Sequence, residues 1–144
     1  MLKLAGEIVI NRPPDQVFQF LTDLDNVTQW ATGVSEVKLL TEGPIRVGTQ
    51  FEETIRMMGR PVRTVCEVVD LAEGRKFAYK SVSSGMMQYD GQFVFEPADG
   101  GTRLNYSSTA RLGGLWRLLE PLVAMEAKKE TQAELQKIKS ALEG

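Results

Sequence analysis

The chain has 144 residues, a quarter of them charged, and a net charge of −2. A chain of this length forms one domain that buries roughly 70% of its unfolded surface without staples. The slight acidity argues against nucleic acid or an anionic membrane as the main partner, because both require a basic face.

One cysteine, Cys66, rules out an intrachain disulfide and fits a reducing compartment. There is no histidine, which removes the commonest general base near neutral pH and the commonest zinc ligand, so no metal or cofactor is expected. The N-terminus carries no apolar run long enough for a signal peptide, and no segment approaches the roughly 18 apolar residues of a membrane span. A cytoplasmic location follows as the expectation.

Leu2 to Asn11 alternates, with Leu4, Ile8 and Ile10 on one side, Lys3, Glu7 and Asn11 on the other, and Gly6 in the apolar register. That is a half-buried strand. Arg12-Pro13-Pro14 stops it and opens a helix, since a proline in the first turn lacks only an N–H that would have no partner there. Asp15 stands near the positive end of the helix dipole, and Val17, Phe18 and Leu21 recur at helical spacing. Asp23 to Trp30 reads as a second short helix, capped by Asp23 or Asp25 and ended by Gly33.

From Val34 the period changes to two. Strands are expected at Val34–Leu40, Thr49–Met58, Val62–Leu71, Lys76–Ser83, Met87–Glu96 and Thr102–Leu112. Turn residues separate them, among them Gly43-Pro44, Gly59-Arg60-Pro61, Glu73-Gly74, Ser84-Gly85 and Asp99-Gly100-Gly101. Short connections of this kind predict an antiparallel meander. A two-residue turn at Gly59-Arg60 would pair Met57 with Val62, Ile55 with Thr64, Glu53 with Cys66 and Phe51 with Val68, giving one apolar face directed at the core. In the later strands Tyr89, Phe93 and Phe95, and then Leu104, Tyr106, Ser108 and Ala110, form inward sets by alternation. A two-residue turn at Ser84-Gly85 would set Phe77 and Tyr79 in the opposite register. A bulge or longer turn restores them, and both are expected inward.

Leu115 to Leu142 reads as one long helix after Gly113-Gly114. Its first half is apolar around much of the cylinder, with Leu115, Trp116, Leu118, Leu119, Leu122, Val123 and Met125, and should need cover on more than one side. Its second half is charged, with a thin stripe of Leu135, Ile138 and Leu142. Lys128, Lys129, Lys137 and Lys139 with Glu126, Glu130 and Glu134 read as a solvated, ion-paired face. Pro121 either kinks this helix or lies in its first turn. Seven strands, two short helices after the first strand and a long helix at the end make an α+β chain.

The order strand, Pro14, Val17-Phe18, Asp23, then Trp30 before the second strand resembles the opening of the START/Bet v 1-like (SRPBCC) superfamily, in its bacterial polyketide cyclase/dehydrase-like branch. The turn Phe95, Glu96, Pro97, Gly100, Gly101, Thr102 is similar to that family's Phe-Glu-Pro…Gly-Gly-Thr turn. The likeness spans nearly all of residues 1–144. It implies a helix-grip fold, a curved seven-stranded antiparallel sheet wrapped around the C-terminal helix, acting as a single ligand-binding domain with a deep apolar cavity. Members of the superfamily bind lipids, sterols or polyketides, and a few act as cyclases or aromatases or bind partner proteins.

The candidate lining of such a cavity is Trp30, Phe51, Glu53, Ile55, Met57, Phe77, Tyr79, Tyr89, Phe93, Phe95 and Tyr106, with Trp116 and Leu119 as the opposite wall. Any one of these aromatics alone reads as core; together they suit a small-molecule site. Met57, Met58, Met86 and Met87 would add adaptable surface. Glu53 stands out as a carboxylate in an otherwise apolar inward set, where it must be paired or protonated. It would orient a ligand hydroxyl or serve as a general acid/base; otherwise it pairs with an arginine or lies at the wet end of its strand. Cys66 reads as a small buried hydrophobe, and Asp90 as outward, solvated or paired across strands. The expected function is carriage of a hydrophobic small molecule by a monomer or homodimer. The alternatives are an aromatase/cyclase-type enzyme using Glu53 and a tyrosine, and a protein-interaction module with a filled interior.

Overall fold

Alternation and proline placement determine where each element begins and ends. The computed structural model describes residues 2–57, 59–83 and 87–144, with the backbone alone at Met57, Ser83 and Trp116. Strand β1 is Leu2–Ile10, followed by α1 (Pro14–Thr22), a 3-10 turn (Leu24–Asn26) and α2 (Val27–Trp30). Five of the six remaining strands are β2 (Val34–Leu39), β3 (Gln50–Met57), β4 (Arg60–Ala72), β5 (Lys76–Ser83) and β6 (Met87–Ala98). The last is β7 (Gly101–Leu112), then a 3-10 segment (Gly114–Leu119) leads into α3 (Glu120–Glu143).

The seven strands form one antiparallel sheet in the order β1-β7-β6-β5-β4-β3-β2. The sheet is curved, bent by register shifts between Val65 and Cys66 and between Val68 and Asp70, where one strand carries an extra residue. The hairpin of β3 and β4 pairs Phe51 with Cys66, Glu53 with Thr64 and Ile55 with Val62. That register is offset by two residues from the expected one, and a shift of two leaves every side chain on its expected face. Between β5 and β6, Phe77 pairs with Phe93, Tyr79 with Gly91 and Lys80 with Asp90, so the connection is longer than two residues and the inward set of β5 is Phe77 and Tyr79. The expected turn residues Ser84 and Gly85, and Met58 and Met86, lie outside the described residues.

Each helix is placed by the face it buries. In α1, Pro14 starts the first turn, and Val17, Phe18 and Leu21 are buried over β5, β6 and β7, with Phe18 edge-on to Phe95 at 5.5 Å. Asp23 accepts the Asp25 N–H and so caps the 3-10 turn, rather than α2. α2 presents Val27 and Trp30, and the Trp30 ring meets Phe93 edge-on at 5.7 Å.

α3 departs from expectation. The helical run is a 3-10 segment up to Leu119 and α-helical only from Glu120, and Pro121 lies in its first turn, so it introduces no kink. The buried residues are Thr131, Leu135 and Ile138, in the charged half. They pack on β1 and α2. Gly6 permits this, since a Cβ there would lie 2.7 Å from Leu135 Cδ1. Leu135 and Ile138 contribute about 2 kcal/mol each by burial. The apolar first half, expected to be covered, instead leaves Leu115, Leu118, Leu122 and Met125 between 64% and 83% exposed.

Candidate functional site

Because α3 seats only its second half on β1 and α2, its first half stands off the concave face of the sheet. The gap is a pocket of about 470 Å³. Trp30, Ala31, Thr32 and Val34 form one wall, and Glu53, Ile55, Tyr79, Tyr89, Tyr106 and Ser108 form the sheet side. Leu119, Leu122, Val123, Glu126, Ala127, Glu130 and Glu134 form the helix side. Two other clefts lie over Lys80, Asp90 and Thr109 and lack this combination of buried carboxyl and aromatic groups.

Of the expected lining, Trp30, Glu53, Ile55, Tyr79, Tyr89, Tyr106 and Leu119 come together here. Phe51, Phe77, Phe93 and Phe95 do not, and this corrects the expectation. They point inward and are buried in the core, with Phe18 of α1 against Phe95 and Trp30 of α2 against Phe93. Phe93 makes the link: it meets Trp30, stacks parallel to Phe77 at 6.4 Å, and lies 4.9 Å from Tyr106, whose other side borders the pocket. Position along a strand, as well as alternation, decides between core and pocket. The Met57 and Trp116 side chains lie outside the described residues.

Glu53 sits at the sheet side of the pocket and is only 9% exposed. Of the readings left open for it, pairing with an arginine is replaced by pairing with a tyrosine: the Tyr89 hydroxyl donates to Glu53 Oε2 at 2.7 Å. Burial pushes the Glu53 carboxyl above the ordinary carboxylate range, and the Tyr89 hydrogen bond pulls it only partly back. Tyr89 Oη also lies 3.2 Å from Cys66 Sγ. The Cys66 thiol is pushed up to about 12, first by burial and then by the Glu53 charge, so it is no nucleophile. Burial likewise raises Tyr79, Tyr89 and Tyr106. Gly91 makes room for Tyr79, whose hydroxyl would lie 2.6 Å from a Cβ at that position. Asp90 is on the far face, where it accepts from the Thr109 N–H and hydroxyl across the strand pair.

On the helix side the sequence pointed to Leu119 but not to the glutamates. Glu126, Glu130 and Glu134 form part of the pocket wall, where a solvated, ion-paired face was expected. Their spacing of four carried the signal, for it places them beside the Leu135 and Ile138 stripe, where a helix face turns from solvent to interior. Glu134 accepts the Thr32 N–H at 2.9 Å. Its carboxyl is pushed up to about 7, chiefly by burial, with the charges of Glu130 and Glu53 adding to it. Burial, then the Glu126 charge, also raises Glu130. The salt bridge described on α3 is Lys139 with Glu143, at the far end.

This arrangement can hold an apolar body against Leu119, Val123 and Ile55. It can also present a carboxyl that exchanges a proton near neutral pH, or accepts a hydrogen bond, at the buried end.

A family model described as "Polyketide cyclase / dehydrase and lipid transport" matches residues 1–143. No curated protein matches the chain. Among solved structures, the chain is similar to TTHA0849 from Thermus thermophilus, with a TM-score of 0.82, 21% identity, and coverage of 96% of this chain and 94% of that one. It is also similar to the Zhui aromatase/cyclase from Streptomyces sp. R1128, with a TM-score of 0.79, 18% identity and coverage of 98% and 93%. Ara h 8.0201 follows, with a TM-score of 0.71, 20% identity and coverage of 96% and 95%. At these identities the structural likeness speaks to the fold alone.

Proposed function

The chain belongs to the polyketide cyclase/dehydrase and lipid transport family of the START/Bet v 1-like superfamily, and from that premise we propose that residues 1–144 act as one ligand-binding unit for a hydrophobic small molecule. The observation that carries this reading is the pocket of about 470 Å³ between the sheet and the first half of α3. Its size falls within the roughly 300–1,000 Å³ of small-molecule sites, and its mix of many apolar walls and few convergent polar groups is theirs too. The ligand's apolar part rests on Ile55, Leu119 and Val123, and its polar part meets Glu53 and the tyrosines. No helix of the described residues is long and apolar enough to cross a membrane. The single buried thiol suits a reducing compartment such as the cytoplasm.

Native mass spectrometry of the purified protein, followed by solvent extraction, tests the reading. A retained apolar ligand, or uptake of a neutral apolar dye with a rise in its fluorescence, is the expected result. Absence of both overturns it.

A second reading has its own support in Glu53. A buried carboxyl with a raised pKa, held by Tyr89 at 2.7 Å beside an apolar chamber, suits proton transfer to and from a folded chain, as in a cyclase. Glu53→Gln separates the two: an enzyme loses turnover while ligand affinity holds. The third expectation, an interior filled by side chains and used only for protein partners, draws no support from a pocket of this volume.

A further inference from the structure

The polar lining of the pocket is one-sided. Glu126, Glu130 and Glu134 descend α3 at four-residue spacing, and Glu53 approaches from β3. The lining side chain of opposite charge is Arg56, which is exposed at the rim. A pocket built for a fatty acid or a phosphate ester would reverse this balance, because such ligands need cations or N–H donors. A pocket built for a plain hydrocarbon would have no reason to carry buried carboxylates, each costly to desolvate.

Glu53 supplies an independent observation from the sheet side. It is nine-tenths buried, yet only its Oε2 is engaged, by Tyr89. Its Oε1 has no hydrogen-bond partner among the described residues and is not fully buried, so it opens onto the pocket that Glu53 lines. Across the gap, Glu134 lies near enough that the Glu53 charge acts on it, and both charges act on Tyr106. Tyr79, Tyr89 and Tyr106 line the same pocket as these two carboxyls, Glu53 on the sheet side and Glu134 on the helix side. Aromatic faces flanked by carboxylates attract one class of group, an organic cation, through the ring quadrupole and through charge-assisted hydrogen bonds.

We propose that the ligand of this pocket is an amphipathic amine, whose cationic nitrogen sits between Glu53 of β3 and Glu134 of α3 among Tyr79, Tyr89 and Tyr106, and whose apolar body lies along Leu119 and Val123. The inference rests on the ligand-binding reading above and specifies the chemistry of its polar end. The cation supplies a positive charge beside Glu53 and adds to that of Lys137, which already acts on Glu134.

The test uses the full chain and three probes of one chain length, decylammonium, 1-decanol and decanoate, titrated by calorimetry at pH 7.5 below their aggregation concentrations. Decylammonium is expected to bind at least about tenfold more tightly than 1-decanol, and decanoate most weakly. In Glu53→Gln and in Glu134→Gln the ratio of ammonium to alcohol affinity is expected to fall toward one. Either variant suffices if the other fails to fold by circular dichroism. If 1-decanol binds and decylammonium binds no more tightly, the proposal is overturned and the ligand-binding reading stands. If the ammonium is preferred and both folded variants keep the preference, the proposal is likewise overturned. If none of the three probes binds, the ligand-binding reading fails and the proposal with it.

Discussion

The two halves of the C-terminal helical segment carry opposite fates. From Thr131 onward α3 is modest in apolar content, yet Leu135 and Ile138 are fully buried and its end is tied down. Lys139 donates to the Val9 carbonyl and to Glu143, and the Asn11 N–H donates to Glu143. From Leu115 to Met125 the chain is far more apolar, yet four of its large side chains lie mostly in solvent, while Leu119 and Val123 face a pocket. Hydropathy alone would assign these roles the other way round. Burial depends on a receiving surface, and β1, thinned at Gly6, together with α2, provides one for the second half only.

The sharpest way to break this comparison is Leu135→Ala. It should cost about 3 kcal/mol in urea unfolding, the ordinary penalty for emptying a packed site. A loss below about 1 kcal/mol would show that the second half of α3 is not the anchor.

Glu134 offers the next largest effect, with a sign set by pH. Its carboxyl titrates near 7 in the folded protein against an ordinary 4.5. Between these values the folded state holds a proton that the unfolded state has lost, so stability falls as pH rises from 4.5 to 7 and levels off above. Glu134→Gln removes that decline. At pH 8 the variant should be more stable by on the order of 2 kcal/mol, discounted for partial exposure, and at pH 4 the two should match. Urea unfolding at both pH values checks this, and a variant less stable at pH 8 contradicts it.

Tyr89→Phe should cost about 1 kcal/mol and move the Glu53 carboxyl further up, because the hydrogen bond opposing burial is gone. The carbon-13 shift of the Glu53 carboxyl, followed through a pH titration, reads that movement directly; an unmoved titration would contradict the assignment. The smallest effect is Leu118→Ala, expected within about 0.5 kcal/mol of the parent by the same urea assay. A loss comparable to that of Leu135→Ala would erase the distinction between the halves.

Much of the fold was legible because it follows from local rules. Alternation located all seven strands, Pro13-Pro14 the start of α1, and the glycine-rich turns the connections. The face of β3 and β4 survived a misjudged turn because the error was an even number of residues. The site was legible only in part. Glu53, Tyr89 and Tyr106 follow from alternation and Tyr79 from a longer β5–β6 connection, whereas Phe51, Phe77, Phe93 and Phe95 share the inward face and end in the core, where α1 and Trp30 of α2 pack. Where a short helix docks is a tertiary matter that no two-residue period encodes. The glutamates of α3 were misread for a related reason: a charged stripe next to an apolar one looks solvated until the neighbouring wall is known.

Hydrogen exchange across α3, with and without the neutral apolar dye N-phenyl-1-naphthylamine, tests most directly whether the gap beneath its first half receives an apolar guest. Added protection of the amides from 120 to 130, with those from 131 to 142 already slow and unchanged, is the result predicted here. Protection unaltered along the whole helix at saturating dye, or gained only in the second half, would contradict it.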